Sequence, residues 1–274
     1  MLKTLRIVLA TLCFTGFFLL FFIPDAPNFI PGLEFLAKVQ LIPAILSGSL
    51  VVAGVLVLLT WLFGRVYCSM LCPLGLMQDL LAVAAPAKRF RFKKAVSTLR
   101  NTVLFLFAAA MISGVPILFS LVEPYSVFGR ILANAVSVGR AFLNRMTDFG
   151  ETLSWTTGAG PAVMALVLFF VIAVMAWKWG RLWCNSVCPV GTFLGWLSRY
   201  SLIGIRIDRE KCVSCGLCER TCKASCINAG DQTVDKSRCV VCFNCTKVCR
   251  HQALHFSVGL PASSRQNILQ RRES

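Results

Sequence analysis

The chain has 274 residues, a formal net charge of +16, 57% hydrophobic residues and only 15% charged residues. A soluble domain of this length is rarely so apolar, so the composition indicates an integral membrane protein with an additional polar part. The basic excess does not indicate nucleic-acid binding, because no soluble segment carries a stripe of basic residues interleaved with aromatic ones. We therefore expect the lipid bilayer, and no nucleic acid, among the partners.

Four long uncharged stretches predict four transmembrane helices. Each has 18 or more residues, enough to cross about 30 Å of hydrocarbon at about 1.5 Å per residue. The stretches are Ile7–Pro24, Val39–Gly64, Asn101–Val122 and Thr152–Trp177. The first follows a basic N-terminus, as a signal peptide does, but no small-residue cleavage site closes it. We therefore expect an uncleaved crossing.

Lysine and arginine predict the orientation of these crossings. Seven of them lie in Arg65–Arg100, one lies in Asp25–Lys38, and the three in Glu123–Glu151 are offset by three acids. The positive-inside rule then predicts a multi-pass protein of the bacterial inner (cytoplasmic) membrane with both termini in the cytoplasm. Eleven of the fourteen cysteines follow Trp179, in a compartment that keeps thiols reduced, so they are interpreted as metal ligands rather than disulfides.

Two similar segments indicate an internal duplication. GRVYCSMLCPLG begins at Gly64 and GRLWCNSVCPVG at Gly180, an offset of 116. At that offset seven of fifteen positions are identical, namely Trp61, Gly64, Arg65, Cys68, Cys72, Pro73 and Gly75 with Trp177, Gly180, Arg181, Cys184, Cys188, Pro189 and Gly191. We predict a membrane domain, residues 1–200, of two duplicated helix pairs related by an axis along the membrane normal. A short helix is expected after each motif, over Leu74–Ala85 and Val190–Tyr200.

The two Cys-x-x-x-Cys-Pro motifs form a candidate third metal or redox site. Cysteines four apart on a helix share a face, and a proline directly after the second one favours the start of a new helix there. The duplication suggests that the two pairs face each other, with four thiols converging at the inner face of the membrane. Three interpretations remain open: a third metal centre of the iron–sulfur type, redox-active dithiols or a transient copper site, and structural cysteines without a ligand. The residues are Cys68, Cys72, Cys184 and Cys188.

Two further cysteine runs, CVSCGLCERTC and CVVCFNCTKVC, predict two [4Fe–4S] clusters. Three thiolates within seven residues surround one face of an iron–sulfur cube, and the fourth lies too far along the chain for the same cube and reaches the partner cluster. Zinc sites normally use two Cys-x-x-Cys pairs separated by a longer loop instead. The predicted ligands are Cys212, Cys215, Cys218 and Cys249 for one cluster, and Cys239, Cys242, Cys245 and Cys222 for the other.

Residues 205–257 resemble the bacterial two-cluster ferredoxins, which implies a small α+β domain with one 4Fe–4S motif in residues 203–232 and a second in 230–259. Lys223 and Arg250 follow the fourth cysteines where that family usually has proline. Cys226 is either a spare small apolar residue or an alternative ligand. Residues 260–274 are expected to form a flexible basic tail. No haem is expected, because the two histidines, His251 and His255, both follow the second cysteine run.

Residues 60–257 as a whole resemble the membrane polyferredoxins of the NapH, NosR and CcoG type. The resemblance implies a membrane-anchored iron–sulfur protein that relays electrons between a quinol pool or a cytoplasmic donor and a partner redox protein. The alternative is a copper reductase or assembly factor that uses the Cys-x-x-x-Cys-Pro thiols. No carboxylate pair or nucleophile–base constellation predicts a catalytic residue, so a subunit of an oxidoreductase system is favoured over a stand-alone enzyme.

Overall fold

The computed structural model describes residues 2–23, 32–84, 90–93, 96–114, 120–147 and 159–258. A helical part is followed by a small α+β part. The helices of the first part are α1 (Leu2–Phe22), α2 (Leu33–Lys38), α3 (Leu41–Leu46), α4 (Leu50–Phe63), α5 (Tyr67–Met70), α6 (Pro73–Ala84), α7 (Ser97–Ile112), α8 (Pro124–Thr147), α9 (Ala159–Trp179), α10 (Leu182–Ser186) and α11 (Pro189–Ser198). The second part contains β1 (Ile203–Ile207), α12 (Leu217–Thr221), β2 (Ile227–Asn228), β3 (Thr233–Val234), α13 (Asn244–Val248) and β4 (Leu254–Val258). The predicted tail lies outside the described residues.

Two of the described helices, Leu2–Phe22 and Gly160–Trp179, are long and apolar enough to cross a membrane, and four crossings are not confirmed. The predicted crossing Val39–Gly64 is two helices, α3 and α4, because the chain turns at Ser47–Ser49, where Gly48 adopts a φ of 72°. The helix in Asn101–Val122 ends at Ile112. The topology with four crossings and cytoplasmic termini therefore stays a prediction.

Helix α8 packs against both candidate membrane-spanning helices, α1 and α9. It also packs against α6. Its buried Val127 and Phe128 belong to the apolar core, and the Phe128 ring lies edge-to-face with Phe14 of α1 at a centroid distance of 5.8 Å. Such aromatic pairs add stability beyond the burial of their surface. The helical part therefore has a continuous core between α1 and α9.

A buried carboxylate, Asp79 of α6, ties separate parts of the chain together. Its Oδ2 lies 2.5 Å from Arg6 of α1 and 2.8 Å from Nη2 of Arg181. Lys223, from the α+β part, lies 3.7 Å from Oδ1. Burial alone would raise the pKa of Asp79, but the neighbouring cations, Arg181 foremost, hold this pKa well below its usual range. Asp79 is thus ionised and connects both halves of the duplication to the α+β part.

The α+β part is closed by its first and last strands. β1 pairs antiparallel with β4, from Ile203 opposite Val258 to Ile207 opposite Leu254, and β2 pairs with β3. Between these strands, each cysteine run provides a one-turn helix, α12 or α13. The α+β part therefore follows directly on α11, with only four residues between Ser198 and β1. In this link, the Leu202 N–H donates to Trp61 O of the helical part at 3.1 Å.

Candidate iron–sulfur centres

The α+β part contains two cavities, each lined by four of the predicted cluster ligands. One is lined by Cys212, Cys215, Cys218 and Cys249. The other is lined by Cys222, Cys239, Cys242 and Cys245. In both, the fourth cysteine of one run joins three cysteines of the other run, as the spacing predicts. We name these the outer cavity and the inner cavity. Cys215 of the outer cavity is exposed, and the inner cavity is closed by apolar residues such as Val240 and Phe243.

The backbone around both cavities is strained in the same way. Residues 27 positions apart share a positive φ: Ser214 and Val241, Gly216 and Phe243, Ser225 and Gln252. For residues with a β-carbon, and above all for β-branched Val241, this costs on the order of 1–3 kcal/mol each. Such left-handed turns gather main-chain N–H groups into concave anion-binding nests, which are found at many iron–sulfur sites. The strain and the thiols together fit a [4Fe–4S] cluster in each cavity.

Cys226 lies beside the predicted ligands of the inner cavity. It is 1% exposed, lines the cavity, and its Sγ is 3.4 Å from that of Cys222. The hydrogen bond with Cys226 lowers the pKa of Cys222 to about 7, and hydrogen bonds with Cys222 and Cys239 raise the pKa of Cys226. Burial raises the pKa of Cys218 and of Cys242 to about 11. Cys222 is therefore the thiol most readily ionised among these four.

The duplicated motifs bring their cysteines together, as the sequence predicts, in a group that we call the four-thiol site. Cys68, Cys72, Cys184 and Cys188 are each at most 3% exposed. Each thiol interacts electrostatically with the other three. Within the described ranges, no three His, Cys, Asp or Glu side chains are gathered tightly enough to hold a single metal ion. The four buried thiols are therefore near one another without such a tight grouping.

The two cysteines of each motif do not lie on one helix, in contrast to the arrangement considered from the sequence. Helices α4 and α9 already end at Gly64 and Gly180, which adopt φ values of 79° and 66°. The first cysteine of each motif then lies on a separate helix, α5 or α10. The second cysteine precedes a new helix that begins at its proline, Pro73 or Pro189, as predicted. Glycine in the left-handed region is what allows the chain to leave the long helix so abruptly.

Two arginines link the halves at the four-thiol site by reciprocal hydrogen bonds, which we call the arginine clamp. Arg181 donates from Nη1 to the carbonyl oxygen of Cys68 at 2.5 Å, and Arg65 donates from Nη2 to that of Cys184 at 3.1 Å. Both are fully buried. In the sequence these arginines are only identities of the repeat, although an arginine three residues before the first cysteine, in both copies, is a signal of a buried ion. The clamp shows that the pseudo-symmetry extends to individual hydrogen bonds.

Glycines make room for this clamp. A Cβ atom at Gly75 would collide with the carbonyl of Cys68 and approach Arg181, and one at Gly191 would collide with the carbonyl of Cys184 and with Arg65. The Gly191 N–H also donates to Cys188 Sγ at 3.3 Å. Each glycine therefore lets its helix begin in close contact with the backbone of the first cysteine of the same motif.

The inner cavity adjoins the four-thiol site. The carbonyl of Lys223, directly after Cys222, accepts from the N–H of Arg181 at 2.9 Å. The carbonyl of Ala224 accepts from Nδ2 of Asn185, directly after Cys184, at 3.2 Å. The two residues that follow Cys222 are therefore hydrogen-bonded directly to the segment that carries Cys184.

Comparison with protein families finds the two repeated segments of the helical part. The model of a "4Fe-4S binding domain" matches twice, at residues 47–93 and 161–209. These segments contain the two Cys-x-x-x-Cys-Pro motifs, so both copies of the duplication match one family independently. No solved structure matches the chain.

Several curated relatives are named as ferredoxin-type proteins. The methylamine utilization ferredoxin-type protein MauN of Methylobacillus flagellatus is 27% identical over 203 residues, covering 73% of this chain and 62% of the relative. The ferredoxin-type protein NapH of Haemophilus influenzae is 29% identical over 178 residues, covering 64% and 53%. The chain is thus related to the ferredoxin-type proteins MauN and NapH. An uncharacterized protein of Methanocaldococcus jannaschii is 26% identical over 69% of this chain and 65% of its own length.

These similarities support iron–sulfur clusters, electron transport and a redox partner. With two candidate spans, it is compatible with a membrane protein. The matched segments cover 53–65% of these three relatives' own lengths. The number of clusters, the ligand residues and the electron donor and acceptor are therefore matters for the proposal below.

Proposed function

We propose that this polyferredoxin is a membrane-anchored relay that passes single electrons through three [4Fe–4S] centres. The two ferredoxin-type centres use the four cysteines of the outer cavity and the four of the inner cavity. The third uses Cys68, Cys72, Cys184 and Cys188. The observation that carries the proposal is the hydrogen bond from Arg181 N–H to Lys223 O, because it joins the segment after an inner-cavity ligand to the segment before a ligand of the four-thiol site.

The outer cavity is where a cytoplasmic redox partner would dock. Its Cys215 is exposed, and the neighbouring Val213 and Leu217 are partly exposed apolar residues. Residues 205–257 contain nine Lys and Arg against five Asp and Glu. A basic surface of this kind attracts an acidic partner. When bound, the clusters supply one-electron chemistry, and the chain supplies their placement and electrostatics.

The four-thiol site is where electrons would be exchanged with the membrane. In the proposed topology, four crossings with both termini in the cytoplasm, it lies at the inner face of the bilayer. Trp61 and Trp177, at the ends of α4 and α9 before the motifs, are 40% and 44% exposed. Aromatic residues at this level suit a quinone headgroup as well as an interfacial belt. Oxidation of one quinol would release two electrons, passed singly to the relay, and two protons.

Metal reduction is less well supported than electron relay. A site that reduces or delivers copper exchanges its ion with a solvent or partner surface, whereas the four thiols are at most 3% exposed. Burial favours a resident centre. The two functions also differ in the oxidant, so one experiment separates them.

The test uses the full-length protein, purified anaerobically in detergent and reduced with dithionite. We expect a quinone analogue to reoxidise the reduced protein. Cupric ion alone should reoxidise the protein no faster than it oxidises dithionite in the absence of the protein. A variant with all four motif cysteines changed to serine should contain about eight irons per chain instead of about twelve. It should also react slowly with the quinone analogue, with its ferredoxin-type clusters intact. Equal iron contents, or equal reoxidation rates, would contradict the relay.

A further inference from the structure

Arg65 is a buried cation without a carboxylate partner in the described ranges of the chain. It is 0% exposed. Its Nη1 donates to Asn185 Oδ1 at 2.7 Å and to the carbonyl of Ser237 at 3.1 Å, and its Nη2 donates to the carbonyl of Cys184 at 3.1 Å. All of these acceptors are neutral. The hydrogen bonds orient the guanidinium, but none of them neutralises its charge.

The equivalent arginine of the second motif is in a different situation. Arg181 also reaches across to a cysteine carbonyl, but Asp79 binds it with both oxygens at 2.8 Å. At the offset of 116, the position equivalent to Asp79 is Gly195, which has no side chain to offer Arg65. The two halves therefore share the clamp and differ in its charge balance.

The surroundings on the Arg65 side include a further cation, Arg100, whose charge Asp235 partly offsets. Arg100, which is 7% exposed, donates to Ser237 Oγ at 3.3 Å, beside the carbonyl that Arg65 uses. A buried, unpaired ion costs several kcal/mol, and folded proteins place an opposite charge next to it. The group that lies next to Arg65 is a thiol of the four-thiol site, since Nη2 is 3.9 Å from Cys68 Sγ.

We infer that Arg65 is the counter-ion of an anionic group held by the four thiols, and that its charge raises the reduction potential of that group. The inference rests on the proposed third centre. A [4Fe–4S] cluster with four thiolates is net negative and becomes more so when it accepts an electron, so a fixed cation beside it favours the reduced form. Arg65 is thus a positioning residue that acts on the centre through its charge, and the paired Arg181 contributes less.

The test compares full-length variants by a redox titration followed by electron paramagnetic resonance. Arg65→Gln keeps a side chain that can donate a hydrogen bond but removes the charge. We expect at least a tenfold loss in the reduction equilibrium of the third centre, equal to about 59 mV for one electron. Arg65→Lys keeps the charge, so its potential should stay nearer to that of the unchanged protein. The signals of the ferredoxin-type clusters report on folding in each variant.

A second variant keeps the inference testable if Arg65→Gln does not fold. Asn185→Asp is nearly isosteric and gives Arg65 a carboxylate partner, so the potential should fall as in Arg65→Gln. An unchanged potential in Arg65→Gln, or in Asn185→Asp if Arg65→Gln does not fold, overturns the inference. Loss of the third centre in Arg65→Gln but not in Arg65→Lys supports it. Iron analysis showing only two clusters in the unchanged protein would instead remove the proposed third centre, which is a separate result.

Discussion

The chain contains two duplications that gather cysteines by different means. In the α+β part, the repeats are 27 residues apart, and each cavity takes three thiols from one short run and one from the other. In the helical part, the repeats are 116 residues apart, and each supplies only two thiols. A ferredoxin-type site is therefore mostly local, whereas the four-thiol site exists only where the two halves pack together.

This difference is reflected in how each site is held. Around the cavities, left-handed residues such as Val241 and Phe243 shape the backbone within a few residues of the ligands. Around the four-thiol site, Arg65, Arg181 and the closely packed Gly75 and Gly191 act across the interface between the halves. Changes in the first group should therefore affect one cluster, and changes in the second group should affect the assembly of the helical part.

The largest expected effect is removal of the inner-cavity cluster by Cys242→Ala with Cys245→Ala. The inner cavity lies against the four-thiol site, so its collapse should also disturb the contacts of Lys223 and Ala224 with the second motif. We expect about four irons to be lost and the thermal stability in detergent to fall strongly. Cys212→Ala with Cys215→Ala at the outer cavity should lose as much iron with less destabilisation. Equal destabilisation by the two pairs would show that the inner cavity has no special link to the helical part.

The next largest effect is expected at Asp79, whose buried carboxylate pairs with cations of both the helical part and the α+β part. Asp79→Asn leaves Arg6 and Arg181 buried without a carboxylate, which should destabilise the fold by about 3–5 kcal/mol. Thermal or denaturant unfolding in detergent measures this. Asp208→Asn is the matched control, because its partner Lys211 is 65% exposed at 3.6 Å and such pairs contribute about 0–1 kcal/mol. Similar losses in both variants would contradict a buried network.

The same carboxylate predicts a pH dependence. The pKa of Asp79 is lowered in the folded protein, so its stabilising effect is fully present above the unfolded-state pKa of about 3.9 and is lost as pH falls through the folded-state value. The stability difference between the unchanged protein and Asp79→Asn should therefore be constant near neutral pH and shrink only below about pH 4. A difference that already shrinks between pH 7 and pH 5 would show that Asp79 is less strongly paired than the structure indicates.

How far the sequence predicts the structure depends on whether a feature is local. Cysteine spacing was sufficient to predict the grouping of thiols in both cavities, and proline to predict the starts of α6 and α11, because these depend on neighbouring residues. The Ser47–Ser49 turn inside an apolar stretch was missed, since periodicity and hydropathy do not register a glycine that adopts a positive φ. The roles of Arg65, Arg181 and Asp79 were missed too, because their partners are 73 to 172 residues away.

A smaller effect tests the close packing of the clamp. Gly191→Ala places a methyl group against the Cys184 carbonyl and Arg65, and such overpacking costs about 1–3 kcal/mol. We expect the signal of the third centre to be lost or altered while those of the ferredoxin-type clusters remain. Gly54→Ala on α4 is the control, since no atom lies within 4 Å of its added methyl group, and alanine in a helix is favoured by about 0.5–1 kcal/mol. An unaltered third signal in Gly191→Ala would contradict the clamp.

The smallest expected effect separates the two interpretations of Cys226. Four thiols besides Cys226 already line the inner cavity, and its Sγ lies 3.4 Å from the ligand Cys222. If Cys226 only donates a hydrogen bond to that ligand, Cys226→Ala should keep all the iron, lose about 1 kcal/mol of stability and lower the potential of the inner-cavity cluster slightly. Cys13→Ala, at a half-buried thiol of α1, should leave that potential unchanged. Loss of about four irons in Cys226→Ala, with the cluster retained in Cys222→Ala, would instead make Cys226 the fourth ligand.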